Sequence, residues 1–364
     1  MTQQSLTQDK ILEMRDLRIS FKTSSGLVQN IRGVDLDLYK GETLAIVGES
    51  GSGKSVTVKT IMGIASNNQR IDSGSIRFTY QSEGQEKTVN LLDMSKKQLR
   101  KHINGKRISM VFQDPMTSLN PTMTIGDQIM EGMFIHYNTP LNEAEAKAIR
   151  LLDLVGISQP EVRMKQYPHQ LSGGMRQRVV IAISLACDPD VLICDEPTTA
   201  LDVTIQAKFL QLIKEIQAKT GISVIYITHD LGVVANVADY VAVMYAGRIV
   251  EKGTAEDVFY DPQHPYTWGL LSAMPDLNTD SEFLYAIPGN PPNLNNYIVG
   301  DPFYPRNQYA LNIDKRIEAP MFKVSNSHYV ATWLKHPQAP NYERPKELQE
   351  RINRMEEEVA KNGE

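Results

Sequence analysis

This chain of 364 residues has only two cysteines, no long apolar run and no excess of basic charge. Its two cysteines, Cys187 and Cys194, lie in apolar stretches, which predicts small buried residues in a reducing compartment and excludes a disulfide-built domain. The longest apolar run, residues 179–187, holds nine residues including Ser184, whereas a membrane span needs roughly 18. The first ten residues lack the apolar core of a secretory signal. We therefore expect an intracellular protein without a membrane span of its own.

The charge balance is slightly acidic. The net charge is −5 at pH 7 and the pI is about 5.9, which argues against a broad basic face and predicts no nucleic-acid partner. Hydrophobic residues at 41% and charged residues at 22% are typical of a globular protein. At roughly 100–200 residues per domain, the length allows one large domain or two to three smaller ones.

Proline divides the chain. Seven of the 19 prolines precede Tyr260, and 12 follow it, together with both tryptophans. Because proline is excluded from helix interiors and central strands, the last part cannot be one continuous helix or a sheet centre. The composition therefore predicts a main domain over residues 1–259 and a loop-rich extension over residues 260–364. An apolar spacing from Leu348 to Val359 predicts one amphipathic helix at its end, docked on its own protein.

Alternating apolar runs and helical patterns fill the first 259 residues, which is typical of a parallel sheet covered on both faces. Strand-like alternation over residues 73–92 predicts an antiparallel hairpin beside that sheet. Residues 124–186 are mostly helical and predict an inserted subdomain. The five runs read as buried strands are Thr43–Val47, Arg107–Phe112, Val191–Cys194, Ile222–Thr228 and Tyr240–Tyr245.

The first of these strands runs directly into a glycine-rich loop and then a helical pattern. This strand–loop–helix context identifies the motif G-x-x-x-x-G-K-[ST] as a phosphate-binding loop, whose backbone N–H groups curl around phosphate oxygens. Lys54 would reach the β- and γ-phosphates, and the Ser55 hydroxyl would bind Mg²⁺. An ordinary glycine-rich turn is the alternative. The predicted ATP-binding loop consists of Gly48, Glu49, Ser50, Gly51, Ser52, Gly53, Lys54 and Ser55.

Two adjacent carboxylates, Asp195 and Glu196, end another of the strands. Successive strand residues point to opposite sides, so the two acids cannot share one role. Asp195 suits a position that holds Mg²⁺ through water, and Glu196 suits a general base that polarises the attacking water. Alone, such a pair would favour a solvated strand end or a helix cap. The phosphate-binding loop elsewhere in the chain reverses that preference.

The segment LSGGMRQR begins a helix with two glycines at its N-terminus, which is a second anion-binding feature. It contains Leu171, Ser172, Gly173, Gly174 and Gln177, and it resembles the signature of the ATP-binding-cassette (ABC) ATPases. The resemblance implies the α/β fold of a P-loop NTPase cassette, with an antiparallel β-subdomain and an inserted helical subdomain. It also implies that the signature contacts ATP bound by an opposite subunit in a head-to-tail dimer.

Four further positions match that family. Gln113 resembles the glutamine that meets Mg²⁺ and senses the membrane partner, and Asp202 lies in a segment that resembles the D-loop. His229 resembles the catalytic histidine that holds the γ-phosphate. Phe21 resembles the aromatic residue that stacks on adenine, although a core residue of an early strand fits its spacing nearly as well.

Two segments narrow the resemblance. Residues 113–129 and 247–275 are similar to the oligopeptide, dipeptide and nickel importer branch and, with the long extension, most resemble its D-type ATPase subunits. This implies an ATPase on the cytoplasmic face of the cell membrane that couples ATP binding and hydrolysis to oligopeptide uptake. The implied partners are two transmembrane permease subunits, a second and different ATPase subunit, and an extracytoplasmic peptide-binding protein.

One feature departs from the branch. Related subunits often carry cysteines in the extension that can hold an iron–sulfur cluster. Here Asp301, Asn307 and Asp314 stand where those cysteines are expected, and no cysteine follows Cys194. Because the thiolate ligands are missing, we expect ATP and Mg²⁺ but no iron–sulfur cluster.

Other functions remain open. An importer ATPase for dipeptides or nickel fits the same motifs, and so does a non-transport ABC ATPase. Leu171 follows Lys54 by only 117 positions without sustained heptads, which argues against a DNA-repair member. Each motif occurs once, which argues against a translation factor with two cassettes. Intact Glu196 and His229 argue against a regulator that binds ATP without turnover.

Overall fold

The computed structural model of the protein describes residues 9–24, 26–113, 118–198, 203–235, 237–274, 287–295 and 298–362. Asp202, predicted in the D-loop, lies outside these residues. Within them, no helix combines the length and apolar character that a membrane crossing demands.

The described strands form two sheets. The first is antiparallel with the order β2-β1-β4-β5, and the second has eight strands in the order β11-β12-β10-β9-β3-β8-β7-β6. The strands are β1 (Lys10–Thr23), β2 (Gly26–Tyr39), β3 (Thr43–Val47), β4 (Gln69–Ser82), β5 (Gln85–Asn90), β6 (Ile108–Val111), β7 (Val191–Asp195), β8 (Ser223–Thr228), β9 (Tyr240–Tyr245), β10 (Arg248–Thr254), β11 (Phe322–Lys323) and β12 (Tyr329–Val330).

Helices connect the strands of the second sheet and cover it. Four of them, α3 to α6, lie within residues 124–186, where the sequence predicts a helical subdomain. The described helices are α1 (Lys54–Ile61), α2 (Lys96–His102), α3 (Ile125–Tyr137), α4 (Leu141–Leu154), α5 (Pro160–Arg163), α6 (Gly173–Leu185), α7 (Val203–Thr220), α8 (Leu231–Val234), α9 (Ala255–Tyr260), α10 (Pro265–Ser272) and α11 (Lys346–Asn362).

All five apolar runs form strands of the second sheet, as predicted. Strands β9, β3, β8, β7 and β6 are parallel neighbours. The sheet also has an antiparallel edge that the apolar runs did not indicate, because β10 joins β9 in antiparallel register and continues to β12 and β11. These last two strands come from the extension, so the extension completes one edge of the sheet.

Strand β3 separates two hydrophobic cores, since successive side chains point to opposite faces. Ala45 and Val47 belong to the core that the helical subdomain covers, whereas Leu44 and Ile46 belong to the core under the antiparallel sheet. Every residue of β3 is buried. The strand therefore ends between two packed layers, which hold the loop that follows it in place.

The extension shares the first of these cores. Trp268, Phe303 and Leu348 are buried in the same cluster as the helical subdomain. Leu348 and Ile352 place helix α11 against this core, and Met355 packs beside them, which confirms the predicted docked helix. The side chain of Val359 lies outside the described part.

Candidate functional site

The phosphate-binding loop spans residues 48–53, between the end of β3 and the first residue of α1. Gly51 and Gly53 have φ angles of 81° and 107°, a region that side chains rarely adopt. A Cβ at Gly53 would lie 2.6 Å from Ile31 Cδ1, and one at Gly48 would overlap the backbone carbonyl of Met244 on β9. These close approaches explain why the loop requires glycine at both ends.

Lys54 lies inside the loop with only 4% of its side chain exposed. Its Nζ donates to the carbonyl oxygens of Gly48 at 2.7 Å and Glu49 at 3.1 Å. Glu196 Oε1 lies 3.5 Å away. Burial lowers the pKa of Lys54, and the Glu196 carboxylate opposes that shift. The ammonium is therefore enclosed by oxygen atoms of the loop and of the segment after β7.

Ser55 and Asp195 meet through a hydrogen bond of 2.7 Å from the serine hydroxyl to Oδ1. Asp195 is buried, and Lys59 Nζ lies 3.6 Å from its other oxygen, Oδ2. Within the described chain, that buried Oδ2 accepts no hydrogen bond, and the buried hydroxyl of Ser52 makes none either. Two polar atoms beside the loop are thus buried without a hydrogen-bond partner, which is uncommon unless a ligand or water satisfies them.

Glu196 gathers three polar groups that are distant in sequence. Gln113 Nε2 donates to Glu196 Oε2 at 3.3 Å, and His229 Nδ1 lies 3.8 Å from the same oxygen. Lys54 contacts the other oxygen. The backbone of Glu196 has a φ of 47°, which is unfavourable for a non-glycine residue and is common at functional sites. Asp195 faces Ser55 instead, so the two acids have different surroundings, as their strand positions predicted.

The signature segment begins helix α6. Ser172 caps the helix by accepting a hydrogen bond of 3.3 Å from the N–H of Met175. Ser172 and Gly173 are exposed, and a Cβ at Gly174 would meet no atom within 4 Å. Leu171 is buried and secures the segment to the core. The helix N-terminus is therefore open to a ligand from outside this chain.

Gln177, predicted with the signature, lies in helix α6, but its side chain does not share the exposed position of Ser172. It is buried, and its Nε2 donates a hydrogen bond of 3.2 Å to the carbonyl oxygen of Pro197, the residue after Glu196. Through this bond the signature helix supports the segment that carries Glu196. Sequence reasoning missed this contact, because nothing in the local pattern indicates where the glutamine points.

Phe21 lies on β1, opposite Val28 of β2 and Gln69 of β4. It is partly buried and packs against the core under the antiparallel sheet. This placement suits both an exposed stacking face and a core residue, so its adenine-binding role stays a prediction.

Two residues of the extension that the sequence did not single out contact the phosphate-binding loop. Tyr266 and Arg306 both bind Glu49. The only sequence signal was their position inside segments typical of the importer branch. Arg306 follows a proline next to the positions where related chains carry cysteine.

Asp301, Asn307 and Asp314 use their side chains to hold turns of the extension. They accept hydrogen bonds from the N–H groups of Phe303, Tyr309 and Leu311, respectively. Burial raises the pKa of Asp301 to about 6. Among the described residues, no group of three or more histidine, cysteine, aspartate or glutamate residues is arranged to hold a metal. The absence of an iron–sulfur cluster stays a prediction from the missing thiolates.

Two protein families match the chain. The family described as "ABC transporter" matches residues 31–199, and the one described as "Oligopeptide/dipeptide transporter, C-terminal region" matches residues 250–313. The first match contains both the phosphate-binding loop and the signature, and the second contains Tyr266 and Arg306.

Several curated proteins are similar over nearly the whole chain. The oligopeptide transport ATP-binding protein OppD of Bacillus subtilis is 56% identical over 348 residues, covering 95% of each chain. The dipeptide transport ATP-binding protein DppD of Lactococcus lactis is 52% identical, covering 97% of this chain and 99% of its own. The oligopeptide transport ATP-binding protein AmiE of Streptococcus pneumoniae is also 52% identical, over 93% of this chain and 94% of its own.

Solved structures show the same fold over about two thirds of the chain. The cbiO1 protein of Clostridium perfringens, part of the ABC transporter complex cbiONQ, aligns with a TM-score of 0.58 and 30% identity over 70% of this chain and 92% of its own. A dimeric ATP-binding cassette in a post-hydrolysis state, bound to ADP and Pi, aligns with a TM-score of 0.55 and 24% identity over 67% of this chain and 98% of its own.

Proposed function

Because the chain belongs to the oligopeptide and dipeptide branch of the ABC transporter ATP-binding proteins, we propose that it hydrolyses ATP to drive peptide import through separate permease subunits. Residues 1–259 form the ATPase domain in this proposal, and residues 260–364 form the extension. The observation that carries it is the convergence of Lys54, Gln113 and His229 on Glu196, beside the phosphate-binding loop.

The residues divide the work of hydrolysis. The loop's backbone N–H groups and Lys54 bind the phosphate groups of ATP. Glu196 accepts a proton from the attacking water. Gln113 donates a hydrogen bond to the carboxylate oxygen that faces away from Lys54, and His229 Nδ1 lies 3.8 Å from that oxygen. His229 lies at the exposed rim, with 54% of its side chain accessible, where it would hold the γ-phosphate.

The oxygen ligands present suit Mg²⁺, which prefers hydroxyl, carboxylate and carbonyl oxygens. The Ser55 hydroxyl and the side-chain oxygen of Gln113 would hold it directly, and Asp195 would hold it through water. The buried Oδ2 of Asp195, which accepts no hydrogen bond from any described residue, supports this fit. When bound, the ion would neutralise charge on the β- and γ-phosphates.

A second cassette, on another subunit, is required in this proposal. Ser172 and Gly174 present an open helix N-terminus, which would complete the ATP site of an opposite subunit, while that subunit's signature completes this one. The opposite subunit is a second, different ATPase chain. Two transmembrane permeases would transmit the motion, and an extracytoplasmic protein would deliver the peptide, with this chain on the cytoplasmic face.

The names of similar proteins specify both oligopeptide and dipeptide transport, so dipeptides are the second candidate substrate. The test is to purify the complex through this chain and to identify the copurifying permeases by mass spectrometry. Uptake of labelled peptides of two to six residues is then measured in vesicles. ATP-dependent uptake of peptides longer than two residues is expected. Uptake of dipeptides alone would favour the second candidate, and copurification without permeases would contradict an importer role.

A further inference from the structure

Two residues of the extension form hydrogen bonds with Glu49 of the phosphate-binding loop. The hydroxyl oxygen of Tyr266 accepts a hydrogen bond of 2.8 Å from the Glu49 N–H. Arg306 Nη1 and Nη2 donate to the two carboxylate oxygens of Glu49 at 2.6 and 2.9 Å. Lys54 Nζ donates to its carbonyl oxygen. Both backbone polar groups and the carboxylate of Glu49 are therefore bonded, and two of these three groups are held by the extension. We call Tyr266, Arg306 and Glu49 the Glu49 clamp.

Arg306 is itself held rigidly. Only 4% of its side chain is exposed, its Nε donates to the Pro288 carbonyl at 2.8 Å, and Nη1 also donates to the Tyr245 hydroxyl at 3.2 Å. Hydrogen bonds from its guanidinium to Glu49 raise the pKa of Arg306. A planar guanidinium matches a carboxylate through two parallel bonds, whereas a lysine offers only a point charge. The two bonds therefore fix the orientation of the Glu49 carboxylate in addition to neutralising its charge.

Aromatic packing aims the clamp at the loop. The ring centroid of Tyr266 lies 4.6 Å from that of Tyr245 and 5.4 Å from that of Phe303. Tyr245 ends strand β9, Tyr266 lies in the first turn of α10, and Phe303 belongs to the later part of the extension. The three buried rings join the central sheet to the extension, so the Tyr266 hydroxyl and the Arg306 guanidinium keep fixed positions relative to the loop.

The loop needs such support because its glycines give the free backbone many conformations. A loop whose competent conformation is only partly populated binds its ligand more weakly, in proportion to that population. The clamp contacts the second residue of the loop, and none of its hydrogen bonds uses a backbone N–H of the following residues. The N–H of Ser52 donates within the loop, at 3.2 Å, to the carbonyl oxygen of Glu49. We propose that Arg306 and Tyr266 are positioning residues through which the extension holds Glu49 and keeps the loop in its nucleotide-receiving form. This inference rests on the proposed function of the loop as an ATP site.

Loss of the clamp should weaken nucleotide binding without changing the chemical step. If the competent fraction falls to about one in ten, the apparent Kd for ATP and ADP rises about tenfold. Because the clamp contacts neither Glu196 nor His229, KM for ATP should rise while kcat stays within about twofold. Substitution of a residue that acted only on overall stability would lower the melting temperature without raising KM for ATP relative to kcat.

The experiment uses the full chain, with ATP and ADP binding measured by calorimetry and kinetics measured in the assembled complex. Glu49→Gln keeps the size of the side chain and removes its charge, Arg306→Lys keeps the charge and removes the fork, and Tyr266→Phe removes the acceptor of the Glu49 N–H. The matched control is Arg344→Lys, since Arg344 pairs with Asp261 within the extension and this ion pair involves no residue of the loop.

Each clamp variant is expected to raise Kd about tenfold, and the control is expected to bind like wild type. The double variant Glu49→Gln, Arg306→Lys should bind no more weakly than the weaker single variant, because both changes break one contact. Wild-type affinity in Glu49→Gln, an equal loss in Arg344→Lys, or additive losses in the double variant would each overturn the clamp. A wild-type chain that binds nucleotide but supports no peptide uptake would contradict the proposed function and leave the clamp standing.

Discussion

Gln113 Nε2 donates a hydrogen bond of 3.3 Å to the carboxylate of Glu196, across 83 positions of sequence. The glutamine follows strand β6 and the glutamate follows the neighbouring strand β7, so the parallel pairing of these strands brings both to the same edge of the sheet. The group predicted to sense the membrane partner therefore touches the group predicted to activate water. A displacement of Gln113 would reach Glu196 directly.

The first prediction concerns Glu196→Gln. The substitution keeps the hydrogen-bonding shape but removes the base, so ATP binding should persist while hydrolysis slows by at least about 10²-fold. Phosphate release in the assembled complex measures hydrolysis, and calorimetry measures binding. The partner's own site is inactivated so that only this site is scored. Glu215→Gln, on the exposed side of α7, is the matched control. Unchanged turnover in Glu196→Gln would remove the assigned role.

The second prediction concerns the core that the extension shares with the main domain. Trp268 is 2% exposed, and its Nε1 donates a hydrogen bond of 2.8 Å to the carbonyl oxygen of Pro262. Its ring packs edge-on against that of Tyr309, with 5.1 Å between the ring centroids. Trp268→Ala should lower the free energy of unfolding by about 3–5 kcal/mol, because it leaves a large cavity. Trp333→Ala is the matched control, because Trp333 lies in the same extension but is only partly buried. Thermal denaturation followed by circular dichroism compares the two, and an equal loss in both would contradict this prediction.

The parts of the fold predicted correctly from sequence are those set by local patterns. The five apolar runs became strands because a sheet covered on both faces buries every residue of its central strands. The phosphate-binding loop was also predictable from a local pattern, because its glycines occupy positions where the backbone conformation or a close neighbouring atom excludes a side chain. Gly53, with a φ of 107°, is one such position.

Contacts between distant segments were not predictable. Arg306 and Glu49 are 257 positions apart, and no local pattern specifies which carboxylate a buried arginine will meet. The same holds for Gln177 and the Pro197 carbonyl. Proline content marked a change at Tyr260, yet Trp268 and Phe303 pack into the core of the main domain. Composition reports how a segment folds locally, whereas the position of a shared core depends on tertiary packing.

The third prediction is a pH dependence from Asp301. Burial raises its pKa to about 6 in the folded chain, whereas an unfolded aspartate titrates near pH 4. Between these values the folded state binds more protons, so stability falls as pH rises through this window, and the loss remains above it. Asp301→Asn keeps an acceptor for the Phe303 N–H and removes the charge. It should therefore stabilise the protein by about 1–3 kcal/mol at pH 7.5 and by little near pH 4.

Melting curves at pH 4 to 7.5 measure the effect as a difference between variant and wild type. His264, whose pKa burial lowers to about 3, contributes the opposite trend in both proteins and cancels in that difference. Asp153→Asn, at an exposed position of α4, is the control and should follow the wild-type curve. A variant of Asp301 that is less stable than wild type at pH 7.5 would show that its charge is needed.

The fourth prediction joins the signature to the dimer. Ser172 is exposed and a Cβ at Gly174 would meet no atom within 4 Å, so both Ser172→Arg and Gly174→Asp fit without steric overlap. Ser172→Arg also removes the cap of helix α6, which costs about 1 kcal/mol of stability but leaves the fold intact. ATP binding at this chain's own Lys54 should stay within about twofold of wild type, because the signature serves the opposite site. Hydrolysis at the site formed with the partner's phosphate-binding loop should fail, since bulk obstructs closure and an aspartate at a helix N-terminus repels phosphate.

The measurement resolves the two sites of the dimer. When the partner's phosphate-binding loop is disabled, only this chain's Lys54 site is active, and the partner's signature serves it. Gly174→Asp should then retain much of the turnover, provided that the dimer still closes, which crosslinking across the interface reports. When Lys54→Ala disables this chain's site instead, the same Gly174→Asp change should abolish the remaining turnover. If turnover at the Lys54 site collapses while a closed dimer with ATP still forms, the signature acts on its own chain and the head-to-tail arrangement is wrong.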